Sequence, residues 1–206
     1  MKSSHCLCVA LFSLLLTGCV SFTPTGPLGD PAHKAATPLA QAALIEQVSV
    51  TDSSLDATRQ QDIGKQLTAQ LNRYVERGEY FQRVIRFPAK VGEQDVVLKF
   101  NFTSLKGKRT PHPGYFPGAL LTLTMWIWVN GPIYVDKYDL VGELTIEDAS
   151  GKSLVSTRKA QQLDQNTGLW DADYYNMSLG ATQLQQLVDQ LLEDGTQQLA
   201  QQGRSA

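Results

Sequence analysis

Thiols and imidazoles are scarce in this chain of 206 residues, which carries three cysteines and three histidines. Cys6, Cys8 and Cys19 all precede Val20, so the rest of the chain holds no thiol for a disulfide, a metal or a nucleophile. A transition-metal site needs several His or Cys ligands at close spacing, and they are missing. His5 and His33 lie in the leading stretch, which leaves His112 alone in the body, among Pro111 and Pro113, with no Gly-x-Ser-x-Gly elbow near it. Nucleophilic catalysis, which usually needs a histidine base, is therefore not expected. No dinucleotide fingerprint, phosphate loop or internal repeat occurs. Charge of one sign is lacking too: 18 basic and 20 acidic residues give a formal net charge of −2, without the basic stripe of a nucleic-acid binder. Hence no cofactor and no nucleic-acid partner is expected, and the chain is read as not an enzyme. Asp164, Asp171 and Asp173 lack EF-hand spacing and read as solvated acids. Glu143 and Glu147 share a strand face roughly 13 Å apart, an unpromising glycosidase pair.

The N-terminus is the most informative part of what is present. Lys2 gives a positive start, Cys8 to Leu16 is apolar, and Leu16-Thr17-Gly18-Cys19 closes the run. A stretch this short cannot span a bilayer as a helix, which takes roughly 20 apolar residues. The pattern resembles the bacterial lipobox. It implies a signal peptide over 1–18, cleavage between Gly18 and Cys19, and lipidation of Cys19. Val20 rather than aspartate follows the cysteine, which in Gram-negative sorting implies an outer-membrane location, lipid-anchored and facing the periplasm. Residues 19–41 carry Pro24, Pro27, Pro31 and Pro38 without apolar periodicity. They read as an extended tether with a reach of about 60 Å.

Residues 42–202 read as one α+β domain: a mostly antiparallel sheet with two helices packed on one face, followed by a tail over 203–206. Leu44 to Val50 suggests an edge or first strand. Thr51 to Ser54 offers capping oxygens for a helix over Leu55 to Arg77, with Ile63, Leu67, Leu71, Tyr74 and Val75 on one face. Gly78 suits a left-handed terminating position. Strands are expected at Phe81–Phe87, at Asp95–Thr103, where Val96, Leu98, Phe100 and Phe102 share a face, at Tyr134–Glu147, and at Ser153–Leu163, which returns as a hairpin. Ser104 to Gly118 reads as a loop and Asp164 to Met177 as irregular. A final helix is expected over Thr182 to Gln201, with Leu184, Leu187, Val188, Leu191, Leu192 and Leu199 as its stripe.

Three features suit contact rather than chemistry. Ala119 to Val129 is an apolar run with Trp126 and Trp128. As a strand it reads either as a core strand buried on both sides or as a surface that meets a partner or the bilayer. In lipid, a lone strand would need a ring of subunits to pair its backbone. Lys106, Lys108 and Arg109 precede this run and are either solubilising charges or contacts for anionic lipid head groups. Trp170, Tyr174 and Tyr175 mix large rings with polar tips, as interfaces do, or pack a loop over the sheet.

The helix ending in Arg77-Gly78-Glu79-Tyr80-Phe81-Gln82-Arg83-Val84, then Gln94-Asp95-Val96-Val97-Leu98-Lys99, resembles the amino-terminal TolB-like and curli-secretion-lipoprotein-like domains. The resemblance covers roughly Leu44 to Thr103 and the turn at Asp148 to Gly151. Phe100 and Val97 depart from that pattern, and no functional residue carries over. It implies a non-enzymatic envelope protein that works by binding or assembling. With the lipobox and an aromatic-rich domain poor in catalytic groups, the chain reads as a non-catalytic outer-membrane lipoprotein acting through protein contacts in envelope assembly, secretion or surface-structure biogenesis. The expected partners are the membrane, through Cys19, and an envelope protein, with a homo-oligomer as a further possibility. A ring-forming export component, a lipid- or small-ligand-binding module and a cell-wall hydrolase are the alternatives.

Overall fold

The computed structural model describes residues 19–86, 89–175 and 178–205. The signal peptide and Gly18 lie outside the described residues, and Cys19 lies within them. The chain forms two compact units. Of the described residues, unit 1 takes 19–22, Gly107–Lys137 and 164–175, and unit 2 takes 23–86, 89–106, Tyr138–Leu163 and 178–205. The strands are β1 (Val20–Phe22), β2 (Leu39–Ile45), β3 (Ser49–Val50), β4 (Phe81–Ile85), β5 (Val96–Pro111), β6 (Tyr134–Asp148) and β7 (Ser153–Thr167). The helices are α1 (Ala57–Arg77), α2 (Tyr115–Leu121), α3 (Met125–Trp128), α4 (Ala172–Tyr175) and α5 (Ala181–Ser205). β5, β6 and β7 contribute residues to both units.

The sheet order is β4-β2-β5-β6-β7, with β1 and β3 also pairing with β5. β2 runs parallel to both β4 and β5, β3 runs parallel to β5, and β1 runs antiparallel to β5. This overturns the expected α+β arrangement: the sheet is mixed, and five helices are present among the described residues rather than two on one face. Leu44 to Val50, expected as an edge or first strand, supplies part of β2, an interior strand flanked by β4 and β5, and β3 beside β5. Parallel pairing joins residues far apart in sequence and leaves no local turn signal, which is why the pattern did not disclose it.

In unit 2 the core follows the apolar spacing. Val96, Leu98, Phe100 and Phe102 of β5 are buried, as are Tyr138, Leu140, Leu144 and Ile146 of β6. The α5 stripe Leu184, Leu187, Val188, Leu191 and Leu192 is also buried. Gly142 makes room for that stripe, since a Cβ there would stand 2.9 Å from Leu191 Cδ1. The hydroxyl of Tyr74 on α1 donates to Asp189 Oδ1 on α5 at 2.5 Å. Burial and that carboxylate together push the Tyr74 hydroxyl far above its ordinary pKa, so it remains a donor.

Helix α1 begins two residues later than expected, at Ala57. Its cap is Asp56, whose Oδ1 accepts from Arg59 N–H at 2.9 Å. Asp52, from the expected capping cluster, is fully buried instead. Its Oδ1 accepts from Ser54 N–H and Oγ–H at 2.8 and 2.6 Å, and its Oδ2 from Leu105 N–H at 2.7 Å. Gly78 is right-handed (φ −74°), and Glu79 takes the left-handed position (φ 53°). A close approach makes Gly78 necessary all the same, because a Cβ there would meet the Tyr80 ring at 2.4 Å.

Residues 19–41 are not an extended tether. In unit 1, β1 pairs Val20 with Arg109, Ser21 with Lys108 and Phe22 with Gly107. The Phe22 ring lies where a Cβ on Gly107 would stand. In unit 2, Leu28 is buried and its N–H donates to Gln70 Oε1 at 3.2 Å. Gln66 and Gln185 donate to the carbonyls of Thr25 and Asp30 at 2.9 and 2.7 Å. Proline removed the periodicity from this segment, but not its few apolar anchors.

Two outcomes test this packing. Glycine to alanine inside a helix ordinarily stabilises by roughly 1 kcal/mol. At Gly64 of α1 the new Cβ would stand 2.6 Å from the Val48 carbonyl oxygen, a backbone atom that cannot swing away. Gly64→Ala is therefore expected to destabilise unit 2 by about 1–3 kcal/mol in urea unfolding. For Asp52, burial pushes the carboxyl pKa up, but the hydrogen bonds from Ser54 and Leu105 outweigh burial and hold it below the ordinary 3.8. A depressed carboxylate stabilises the fold above its unfolded pKa, and that stabilisation is lost as pH falls through the folded value. Acid titration below pH 3.8 is expected to lower the melting temperature in the wild type, and this contribution should be absent from Asp52→Asn.

Candidate contact surface

From Thr110 to Val135 the chain contains no Asp, Glu, Lys or Arg. Unit 1 is built around this segment, and its base is the pair of charges that flank it. Arg109 Nε and Nη2 donate to Asp136 Oδ1 and Oδ2, both at 2.6 Å. The Asp136 side chain is fully buried and that of Arg109 is 12% exposed. Thr167 Oγ1 donates to Asp136 Oδ2 at 2.7 Å, and Arg109 Nη2 also donates to the Asp173 carbonyl at 3.0 Å. The guanidinium lies 5.1 Å from the Tyr134 ring centroid. Arg109 is thus a structural residue with its donors turned inward, not a free contact for a lipid head group. Lys108 is exposed on β5 opposite Ser21. Lys106 belongs to unit 2, with Nζ 4.0 Å from Asp52 Oδ1. The expected loop over 104–118 is mostly strand, because β5 continues to Pro111 with β1 paired along it.

Ala119 to Val129 is neither a core strand nor a strand at all. It folds into α2 and α3, joined by left-handed residues Leu123 (φ 48°) and Thr124 (φ 72°). Pro117 falls in the first turn of α2, where a missing N–H costs nothing. Trp126 organises the turn. Its ring lies against Gly118 and Gly131, where a Cβ would come within 2.5 and 2.4 Å of it. Its indole N–H donates to the Pro132 carbonyl at 3.2 Å. Thr122 Oγ1 donates to Gly118 O at 2.7 Å and accepts from Trp126 N–H at 2.9 Å. A continuous apolar run has no period that separates helix from strand. Gly118, with Gly131 and Pro132, decides in favour of compact turns.

The result is an exposed apolar surface. Leu121 and Leu123 are 83% and 85% exposed, and Phe116, Leu120, Met125, Trp128 and Val129 are also exposed. Trp170 and Tyr175 are exposed in the same unit. Trp128 and Trp170 have ring centroids 6.1 Å apart, and Tyr174 and Tyr175 meet edge to face at 4.8 Å. Tyr174 is half-buried and 5.9 Å from Tyr134. The expected contact residues therefore divide: Trp128, Trp170 and Tyr175 face outward, while Trp126 and Tyr174 support them. Asn130 ties the two halves of this surface. Its Oδ1 accepts from Trp170 N–H at 2.9 Å and its Nδ2 donates to Asp171 Oδ1 at 3.0 Å. The sequence reading passed over Phe116, Asn130 and Asp136, although the charge-free interval would have pointed to all three.

The side chains considered for chemistry are engaged elsewhere. Glu143 pairs with Arg158 at 2.6 Å and Glu147 with Lys99 at 2.8 Å. His112 Nδ1 accepts from Gly114 N–H at 3.1 Å, and Asp164 pairs with Lys137 at 3.0 Å. Among the described residues, no group of three or more His, Cys, Asp or Glu is placed to hold a metal ion. No described helix is long and apolar enough to cross a membrane. An open cleft of about 650 Å³ in unit 2 is lined in part by Leu39, Asp95, Asp148 and Leu199. Asp95 is occupied there by the N–H groups of Ala42 and Gly92, at 3.2 and 2.8 Å.

No family model matches the chain, and no curated protein matches it in sequence. Among solved structures, protein XCC0632 from Xanthomonas campestris aligns with a TM-score of 0.46 at 11% identity, over 85% of this chain and 95% of that one. The PelC dodecamer from Paraburkholderia phytofirmans aligns at 0.34 and 12%, over 85% and 94%. Lipoprotein GNA1162 from Neisseria meningitidis aligns at 0.36 and 10%, over 74% and 99%. Each is a distant likeness of fold, with a TM-score below 0.5 and an identity of 12% or less, and none of them is a TolB-like or curli-secretion domain.

Removing one partner of a buried ion pair strands the other charge, at a cost of about 3–5 kcal/mol. Asp136→Ala is expected to destabilise unit 1 by that amount. Trp126, Trp128 and Trp170 all lie in unit 1, so tryptophan emission during urea unfolding reads this unit alone. Arg109→Lys, which keeps the charge and loses the two-pronged geometry, should fall between wild type and Asp136→Ala.

Proposed function

We propose that this chain is a lipid-anchored protein of the bacterial outer membrane that works by contact, without catalysis, through the apolar surface of unit 1. The observation that carries this reading is the charge-free segment from Thr110 to Val135, folded so that its leucines and Trp128 point outward over a locally hydrogen-bonded backbone. Monomeric soluble proteins rarely expose contiguous apolar patches of this kind unless a partner or membrane covers them. The lipobox motif and the exposed position of Cys19 immediately before β1 support an anchor in the same unit. Pairing of Glu143 and Glu147 with Arg158 and Lys99 supports a structural role for those acids.

Mass spectrometry of the chain isolated from cell envelopes is expected to find a mature protein that begins at acylated Cys19, in the outer-membrane fraction. An unmodified or different start would overturn the anchor. In a deletion strain, a chain carrying Leu121→Glu and Leu123→Glu is expected to lose complementation. A chain carrying His112→Ala, Glu143→Gln and Glu147→Gln should keep it, and the reverse pattern would indicate an enzyme.

A further inference from the structure

We infer that what covers the apolar surface of unit 1 is a phospholipid bilayer: α2, α3 and the Trp128–Trp170 pair seat in the leaflet that holds the acyl chains on Cys19. The inference rests on the lipid-anchor reading above and deepens it.

Register places the anchor beside the surface. β1 runs antiparallel to β5 with Val20 opposite Arg109, so Cys19 lies level with Thr110. The β5 strand ends one residue later at Pro111, and α2 begins at Tyr115. Acyl chains on Cys19 would therefore leave the protein at the end of β5 from which the apolar turn emerges. Because residues 20–22 are strand-paired, this neighbourhood is fixed and is not a chance position of a long leash.

Chemistry favours lipid over a protein partner. A protein-docking surface usually carries charged residues at its rim, and none occurs from Thr110 to Val135. The flanking charges Arg109 and Asp136 neutralise each other, and the acid beside Trp170, Asp171, accepts from Asn130 Nδ2 and Gly168 N–H at 3.0 and 2.6 Å. Lipid offers no hydrogen bonds to backbone groups, so an inserted segment must satisfy its own. Much of this one is satisfied locally: the N–H groups of Gly118, Thr122, Leu123, Thr124, Met125, Ile127, Val129, Asn130 and Gly131 all donate to carbonyls within the segment. The need for a ring of subunits, which an isolated strand would impose, thereby disappears. Trp128, Trp170 and Tyr175 suit the head-group layer, where aromatic rings with polar tips concentrate. Lys108 is exposed on β5 between Gly107 and Arg109, within reach of lipid phosphates.

The test uses the full lipidated chain reconstituted in phosphatidylethanolamine–phosphatidylglycerol vesicles, with and without bromine on the acyl chains. Tryptophan emission is expected to be quenched by brominated lipid. Quenching should be lost in Leu121→Glu/Leu123→Glu, whose positions are exposed enough to leave the fold intact, while the vesicle association given by the acyl chains persists. Equal wild-type emission from both kinds of vesicle overturns the inference. Mass measurement of Cys19 in the same sample separates the failures: an acylated chain without quenching sinks only this inference, whereas an unacylated chain sinks the anchor reading. A photo-crosslinking residue in place of Leu121, used in whole cells, decides between occupants. Lipid-sized adducts support the bilayer, and a discrete adduct to a second copy or to another protein overturns it.

Discussion

The buried pair of Arg109 and Asp136 is the interaction on which unit 1 depends. A fully buried carboxylate is tolerated only when its lone pairs are occupied, and here both oxygens accept from the guanidinium while Thr167 completes the set. The pair joins β5, which leads into the apolar turns, to β6, which leads out of them. Arg109 also reaches the Asp173 carbonyl, beside the aromatic residues of α4. One guanidinium thus fixes three chain segments that sequence alone leaves unconnected. Its geometry is specific: a lysine would supply one point charge where two parallel donors are used.

Above this base, the exposed segment is held by packing around one ring. Trp126 lies between Gly118 and Gly131, and any side chain at either position would displace it. This explains why leucines can remain outside without collapsing inward. The small interior of the turn is already filled, and the glycines leave no further apolar space. Nine backbone N–H groups between Gly118 and Gly131 are satisfied by local bonds, so the segment presents side chains more than unpaired edges to its surroundings. Such a surface is compatible with a medium that offers no hydrogen bonds, and gives no template for strand addition.

Much of unit 2 was legible in the sequence because its signals are periodic. The alternation of Val96, Leu98, Phe100 and Phe102, and the three- and four-residue spacing on α1 and α5, translate directly into buried faces. What escaped was non-local or aperiodic. Parallel pairing of β2 with β4 and β5 depends on contacts across the chain, and it turned an expected edge or first strand into an interior strand. The Ala119–Val129 run is apolar at nearly every position and so carries no phase. Only the flanking glycines and prolines distinguish compact turns from a strand. The tether reading failed for a related reason: four prolines masked Val20–Phe22 and Leu28, which suffice to bind the segment down. The candidate site was half visible. Trp128, Trp170 and Tyr175 stood out by residue type and are exposed, but Arg109 looked like a surface cation because nothing in its neighbourhood announces Asp136.

The packed N-terminal segment changes what an apolar surface beside an anchor is for. On a free leash of about 60 Å, acyl chains would hold the body near a membrane without orienting it. Strand-pairing at Val20–Phe22 removes that slack, so the surface and the anchored cysteine would meet the same leaflet as one rigid feature. With a lipid anchor inserted, as proposed, the second contact would be intramolecular and its effective concentration high. A surface too weak to recruit the protein by itself then suffices to set its tilt. Buried methylenes at about 0.8 kcal/mol each make acyl chains the larger source of affinity. On the proposal of a lipid anchor at Cys19, the leucines and tryptophans of unit 1 would contribute orientation more than attachment. That division of labour accounts for a surface of only two short helices, because fixing an angle takes a second point of contact and not a second anchor.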